Sequence, residues 1–100
     1  ALINERMKDA GASLKASLLN QRAGCAALMK DQRAARDDYL ACVELEPAVA
    51  MHHRNLAETL LRLQDWAAAR AHAERALSLA TTSKEKAAAE FFLSLLPPAG

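Results

Sequence analysis

The sequence predicts an all-α chain of five to six helices packed as antiparallel pairs. Three observations lead there. The first is composition. The 100 residues include 24 Ala and 16 Leu, but only 4% aromatics, three Gly and three Pro. Ala and Leu are strong helix formers, whereas β-sandwiches draw on β-branched and aromatic residues. The second is helix punctuation, with Asp residues and prolines bracketing apolar stretches of helical spacing. The third is internal similarity between two parts of the chain at one constant shift.

The elements follow in chain order. Leu2–Asp9 reads as a short helix ending near Gly11, and Leu14–Met29 as the next. Asp31 precedes Gln32–Leu45, and Pro47 closes that helix. Val49–Leu63 is apolar at helical spacing. Asp65 precedes Trp66–Leu79, which Thr81, Thr82 and Ser83 close. Ser83 is placed to cap a last helix, Lys84–Leu96, stopped by Pro97 and Pro98. A side-chain oxygen before a helix accepts hydrogen bonds from its orphan amides, and proline cannot continue a helix. The loops are a few residues long, so consecutive helices are expected to run antiparallel.

One constant shift brings Ala16 onto Ala50, Ala23 onto Ala57 and Asp31 onto Asp65. It also brings Ala34, Ala35 and Arg36 onto Ala68, Ala69 and Arg70, and Leu45 onto Leu79. Alanine is abundant, so the Asp and Leu matches in the same register carry the most weight. This divides the chain into a leading segment (1–13), two units (14–49 and 50–83), a final helix (84–96) and a tail (97–100).

In this register the sequence resembles the tetratricopeptide repeat (TPR) family, whose period of about 34 residues equals the shift. The second unit matches best, through Asn55, Leu56, Ala57, Leu60, Asp65, Trp66, Ala69, Ala76, Leu77 and Leu79. The first unit contributes Ala23, Ala35, Tyr39, Val43, Leu45, Glu46 and Pro47. The resemblance covers residues 16–83. It implies a right-handed superhelical stack of helix pairs. Small residues at Ala23, Ala35, Ala57, Ala69 and Ala76 would let helices approach closely, with Tyr39, Leu56, Leu60 and Trp66 filling the gaps. The sequence departs from the family at Arg22, where Leu is commoner, at Cys42, His53 and Ala73, and at Thr81, where a unit often closes with Pro.

The resemblance also implies a non-catalytic module that binds a peptide or helix of another protein along the first helices of its pairs. Those positions are Ser17, Asn20, Gln21, Gly24 and Leu28 in the first unit. In the second they are Met51, Arg54, Asn55, Glu58 and Arg62. Arg54, Glu58 and Arg62 fall at i, i+4 and i+8, so they form one row, either a ladder for a peptide or an internally paired surface. Asn55 offers an amide able to hold an extended backbone. Asn20–Cys25, Asp38 and Leu45–Pro47 look like the second repeat of heat-shock co-chaperone domains, which clamp a C-terminal carboxylate. The matching places here hold Gln21, Met51 and Asn55, without the two cations, so no clamp of that type is expected.

Other chemistry is sparse. GxSxG, P-loop and HExxH motifs are absent, no cofactor is implied, and an enzyme is not expected. Cys25 and Cys42 form no CxxC motif and read as small core residues. Free thiols fit a reducing, cytoplasmic setting. His52 and His53 point about 100° apart on one helix and His72 lies on another, so no metal site is expected. Asp37 and Asp38, beside Lys30, Arg33 and Arg36, read as a solvated, charge-balanced face. Trp66 reads as core. The net charge of +1 argues against nucleic acid as a partner. No apolar run approaches the roughly 18–20 residues of a membrane span.

The end of the last helix is apolar almost all round. Phe91, Phe92, Leu95 and Leu96 are the candidates for self-association, the alternative function, or for docking on a further domain. The chain opens at Ala1 rather than at methionine. It reads as the C-terminal part of a longer array.

Overall fold

A computed structural model describes the backbone of residues 2–97 and the side chains of residues 11–97. Every regular element among them is an α-helix: α1 (Leu2–Leu28), α2 (Gln32–Leu45), α3 (Ala50–Arg62), α4 (Trp66–Leu79) and α5 (Ser83–Leu95). Helices α1 and α2 pack as one antiparallel pair and α3 and α4 as another, while α2 meets α3, α4 meets α5, and α3 also touches α5. The radius of gyration is 14.2 Å, with extents of 48 × 31 × 23 Å. A compact 100-residue domain measures about 13 Å, so the helices form a somewhat elongated array.

The expected break near Gly11 is absent, and α1 runs through it as a single helix of 27 residues. A mid-helix glycine costs only about 1 kcal/mol relative to alanine. The flanking Ala10, Ala12, Leu14 and Lys15 are better helix formers than Gly11 is a breaker. The tail beyond Pro97 lies outside the described residues.

The turns that follow α1 and α3 share one backbone geometry. Lys30 and Gln64 end α1 and α3, both at φ 63°. Asp31 N donates to Ala26 O at 2.8 Å, and Asp65 N to Leu60 O at 2.9 Å. Lys30 N donates to Ala27 O, and Gln64 N to Leu61 O, both at 3.0 Å. These are the two bonds of a Schellman turn, repeated in the same order one unit later. The next residues match too, with φ/ψ of −92°/78° at Asp31 and −89°/78° at Asp65. The two helix pairs therefore share one turn geometry.

Capping differs from expectation in two places. Asp31 Oδ1 accepts from Ala34 N at 3.2 Å, as expected. Asp65 makes no side-chain cap bond. Helix α5 is capped by Thr82 rather than Ser83: Thr82 Oγ1 accepts from Glu85 N at 3.1 Å and donates to Glu85 Oε1 at 3.3 Å. Losing a bonded cap typically costs about 1 kcal/mol. Asp31→Ala should therefore lower unfolding stability by roughly that amount in urea titrations, while Asp65→Ala should leave it nearly unchanged.

The core is built largely from alanine. Ala16, Ala23, Ala35, Ala57, Ala69, Ala73, Ala76 and Ala89 are all buried. Leu56, Leu60, Ala69 and Leu96 form the central cluster, with Tyr39, Val43, Leu61, Ala68 and Leu93 packed against it. Trp66, expected in this interior, is 40% exposed at the first position of α4. Leu96, expected on the apolar end, is instead a core residue, and the Arg70 guanidinium holds the neighbouring Pro97 carbonyl.

Candidate binding surface

Helices α1 and α3 carry the ten expected groove residues, and none of the ten is fully buried. Asn55 Nδ2 donates to Asn20 Oδ1 at 3.0 Å, joining the two helices directly. The Asn55 amide donor is thus partly committed inside the chain. Arg62 Nη2 pairs with Glu58 Oε1 at 2.8 Å, one turn apart. Among the described residues Arg54 has no carboxylate within 4 Å, so the row is a Glu58–Arg62 pair plus one unpaired guanidinium. Behind the row, burial pushes the Tyr39 phenol above its ordinary range, and the Glu58 carboxylate pushes it further. A Cβ added at Gly24 would meet nothing within 4 Å, so the space above it is open.

Between α3 and α5 lies a cavity of about 320 Å³. Its apolar lining is Ala50, Met51, Ala76 and Ala88, and its charged lining is Arg54, Lys84 and Glu85. Small side chains leave the volume, since three alanines stand where larger residues would fill it. Only Met51 and Arg54 belong to the groove residues expected from the sequence. The α5 contribution is not evident there, because that helix reads as a cap.

The charged contacts between helices differ from the sequence reading. Asp38 is 8% exposed, not on a solvated face. Arg22 grips it with two bonds, Nε to Oδ2 at 2.8 Å and Nη2 to Oδ1 at 2.7 Å. This fork geometry is the strong form of the ion pair. The hydrogen bonds from Arg22 hold the Asp38 carboxyl below its ordinary value of 3.8, against burial, which raises it. A depressed carboxyl contributes stability above its unfolded pKa and loses it as pH falls through the folded value. Arg22→Ala should therefore destabilise at neutral pH, and the gap from wild type should close in acid below about pH 4. Thermal melts against pH read both.

The histidines divide as their helical angles require. His52 Nε2–H donates to Glu46 Oε1 at 2.8 Å. His53 turns the other way and meets His72, with Nδ1 atoms 3.1 Å apart and ring centroids 5.4 Å apart. His53 Nε2 lies 2.7 Å from Pro47 O. A carbonyl only accepts, so Nε2 carries the proton and His53 Nδ1 is left to accept from His72 Nδ1–H when both rings are neutral. Burial, and then the nearby His53, hold the His72 pKa below its ordinary 6.5. Among the described residues no three His, Cys, Asp or Glu side chains gather to hold a metal.

Cys42 is buried, and its Sγ donates to Ala16 O at 3.3 Å. Burial raises its thiol pKa, which makes it unreactive. Cys25, expected in the core, is exposed. On α5, Phe91 is 62% and Leu95 50% exposed, Phe92 is partly buried, and Leu96, just past the helix, is buried. No helix among the described residues is long and apolar enough to cross a membrane.

Compared with protein-family models and with curated proteins, the chain matches none.

Proposed function

We propose that this chain is a non-catalytic protein–protein interaction module of the tetratricopeptide-repeat type. In this reading the face formed by α1, α3 and α5 receives a peptide or helix of a partner protein. The observation that carries it is the repeated turn: two helix pairs share the same Schellman bonds and αL residues in one register. Repeated pairs stacked in this way present their first helices side by side and create an extended concave surface. Two features support the reading: the Asn20–Asn55 bond links α1 to α3, and the cavity is lined by residues of α3 and α5. Affinity capture from native lysate tests it. Wild type should retain partners that a variant carrying Arg54→Glu and Glu58→Arg loses, both proteins having the same helical circular dichroism. Retention of the same partners by the variant would contradict the reading.

A second reading, self-association through α5, has its own observation. Phe91 and Leu95 are one turn apart and both exposed, so they form an apolar row. It predicts a light-scattering mass twice that of one chain, reverting to the monomer on Phe91→Asp. The first reading predicts a monomer unaffected by that change.

A further inference from the structure

The cavity between α3 and α5 has a chemistry of its own. Its walls are Ala50, Ala76, Ala88 and the Met51 thioether, and its charges are Arg54, Lys84 and Glu85. Glu85 is already served from within. It lies in the first turn of α5, where the helix dipole favours a carboxylate, and Thr82 Oγ1 donates to it at 3.3 Å. Neither Arg54 nor Lys84 has a carboxylate within 4 Å among the described residues. Arg54 is also partly buried as a residue, and its charged end borders the apolar wall of the cavity without a carboxylate partner among the described residues. The size sets a further limit. About 320 Å³ is at the small end of the roughly 300–1,000 Å³ range of ligand sites. It admits one branched apolar side chain and adjoining backbone, not a whole helix.

The geometry points to an acidic, apolar anchor motif as the occupant: an internal segment of a partner protein in which one leucine-sized side chain fills the cavity and a neighbouring side-chain carboxylate meets Arg54 and Lys84. This rests on the groove reading above and names the part of the groove that selects the partner. Met51 supplies a wall that adapts to aliphatic side chains of different shape. The two cations reject basic segments, because like charge there would stand beside unpaired Arg54 and Lys84.

The test uses short peptides blocked at both termini, so that no terminal carboxylate contributes. One carries a leucine between glutamates. A second carries the same leucine between lysines, and a third has alanine in place of the leucine between glutamates. Each is titrated into isotopically labelled protein and followed by NMR and fluorescence anisotropy. The acidic leucine peptide should shift the methyl resonances of Met51 and Ala88. The lysine and alanine versions should bind at least about tenfold more weakly, the loss expected for like charge or for an emptied apolar pocket. Arg54→Glu with Lys84→Glu should lose the acidic peptide and leave the circular dichroism unchanged. Equal binding of acidic and basic peptides, or undiminished binding to the doubly charge-reversed protein, would overturn the proposal. If shifts follow Ser17–Leu28 and Asn55–Arg62 but spare Met51 and Ala88, the groove reading survives and the anchor cavity does not. If they fall on neither, both fail.

Discussion

Leu56→Ala is expected to destabilise the protein by about 2–5 kcal/mol, the range for emptying a buried leucine site. Leu56 is 1% exposed and is among the largest fully buried side chains. It packs in one cluster with Leu60, Ala69 and Leu96, so α3, α4 and the residue that follows α5 meet there, with Tyr39 and Val43 of α2 against them. The surroundings are rich in alanine, which has no side-chain torsions with which to fill a void. A domain of this size has only about 5–15 kcal/mol in total. Each kcal/mol moves the melting temperature of such a domain by about 4–8 °C, so the variant should melt at least about 8 °C lower. Differential scanning calorimetry measures this directly. A shift of only a few degrees would mean that Leu56 is not the centre of packing.

The second large effect is a loss of stability in mild acid. His72 has a folded pKa below its ordinary 6.5, because burial and His53 disfavour its charged form. The unfolded chain then binds more protons than the folded one as pH falls below 6.5, and stability drops in that window. One extra proton on the unfolded side sets a limiting slope of about 1.4 kcal/mol per pH unit. His72 is only partly buried, so solvent screening keeps the slope below that limit. The geometry gives the same sign. His53 Nε2–H is committed to Pro47 O, and the facing Nδ1 atoms have room for one proton between them. Protonating both rings fully would set two N–H groups head to head at 3.1 Å. Urea unfolding between about pH 7.5 and 5 should show the decline, and His72→Gln should flatten it. An unchanged profile in that variant would place the acid sensitivity elsewhere. The Asp38–Arg22 pair acts in a separate window, below about pH 4.

Much of the fold is legible in the sequence, and particular residues explain why. The bounds of α2 follow from local chemistry, since the Asp31 side chain caps its start and Pro47 stands just past its end; Asp65 marks the start of α4 in the sequence, but its side chain makes no cap bond there. Helix α1 departs from the reading because Gly11 looks like a stop, while its cost of about 1 kcal/mol is small against the other residues of a long helix. The candidate binding surface is less legible. Arg22–Asp38 and His53–His72 join residues 16 and 19 apart on different helices, and nothing local announces such pairs. One signal is present. Under the repeat shift Arg22 falls on Leu56 and Asp38 on His72, so the register is broken at both members of a bonded pair together. The α3–α5 cavity is hidden for a different reason. It arises from alanines on three helices, and alanine in a helix signals propensity rather than a wall. Trp66 sits elsewhere than expected because a large apolar residue at a helix start can face either the interior or solvent, and its turn sets it outward.

A partner is expected to bind on the face shared by α1, α3 and α5. Hydrogen–deuterium exchange of the protein, free and with a captured partner, tests this most directly. Added protection should appear in α3 from Met51 to Arg62 and in the first turns of α5, with Phe91–Leu95 unchanged. Protection confined to Phe91–Leu95, with none along α3, would contradict it.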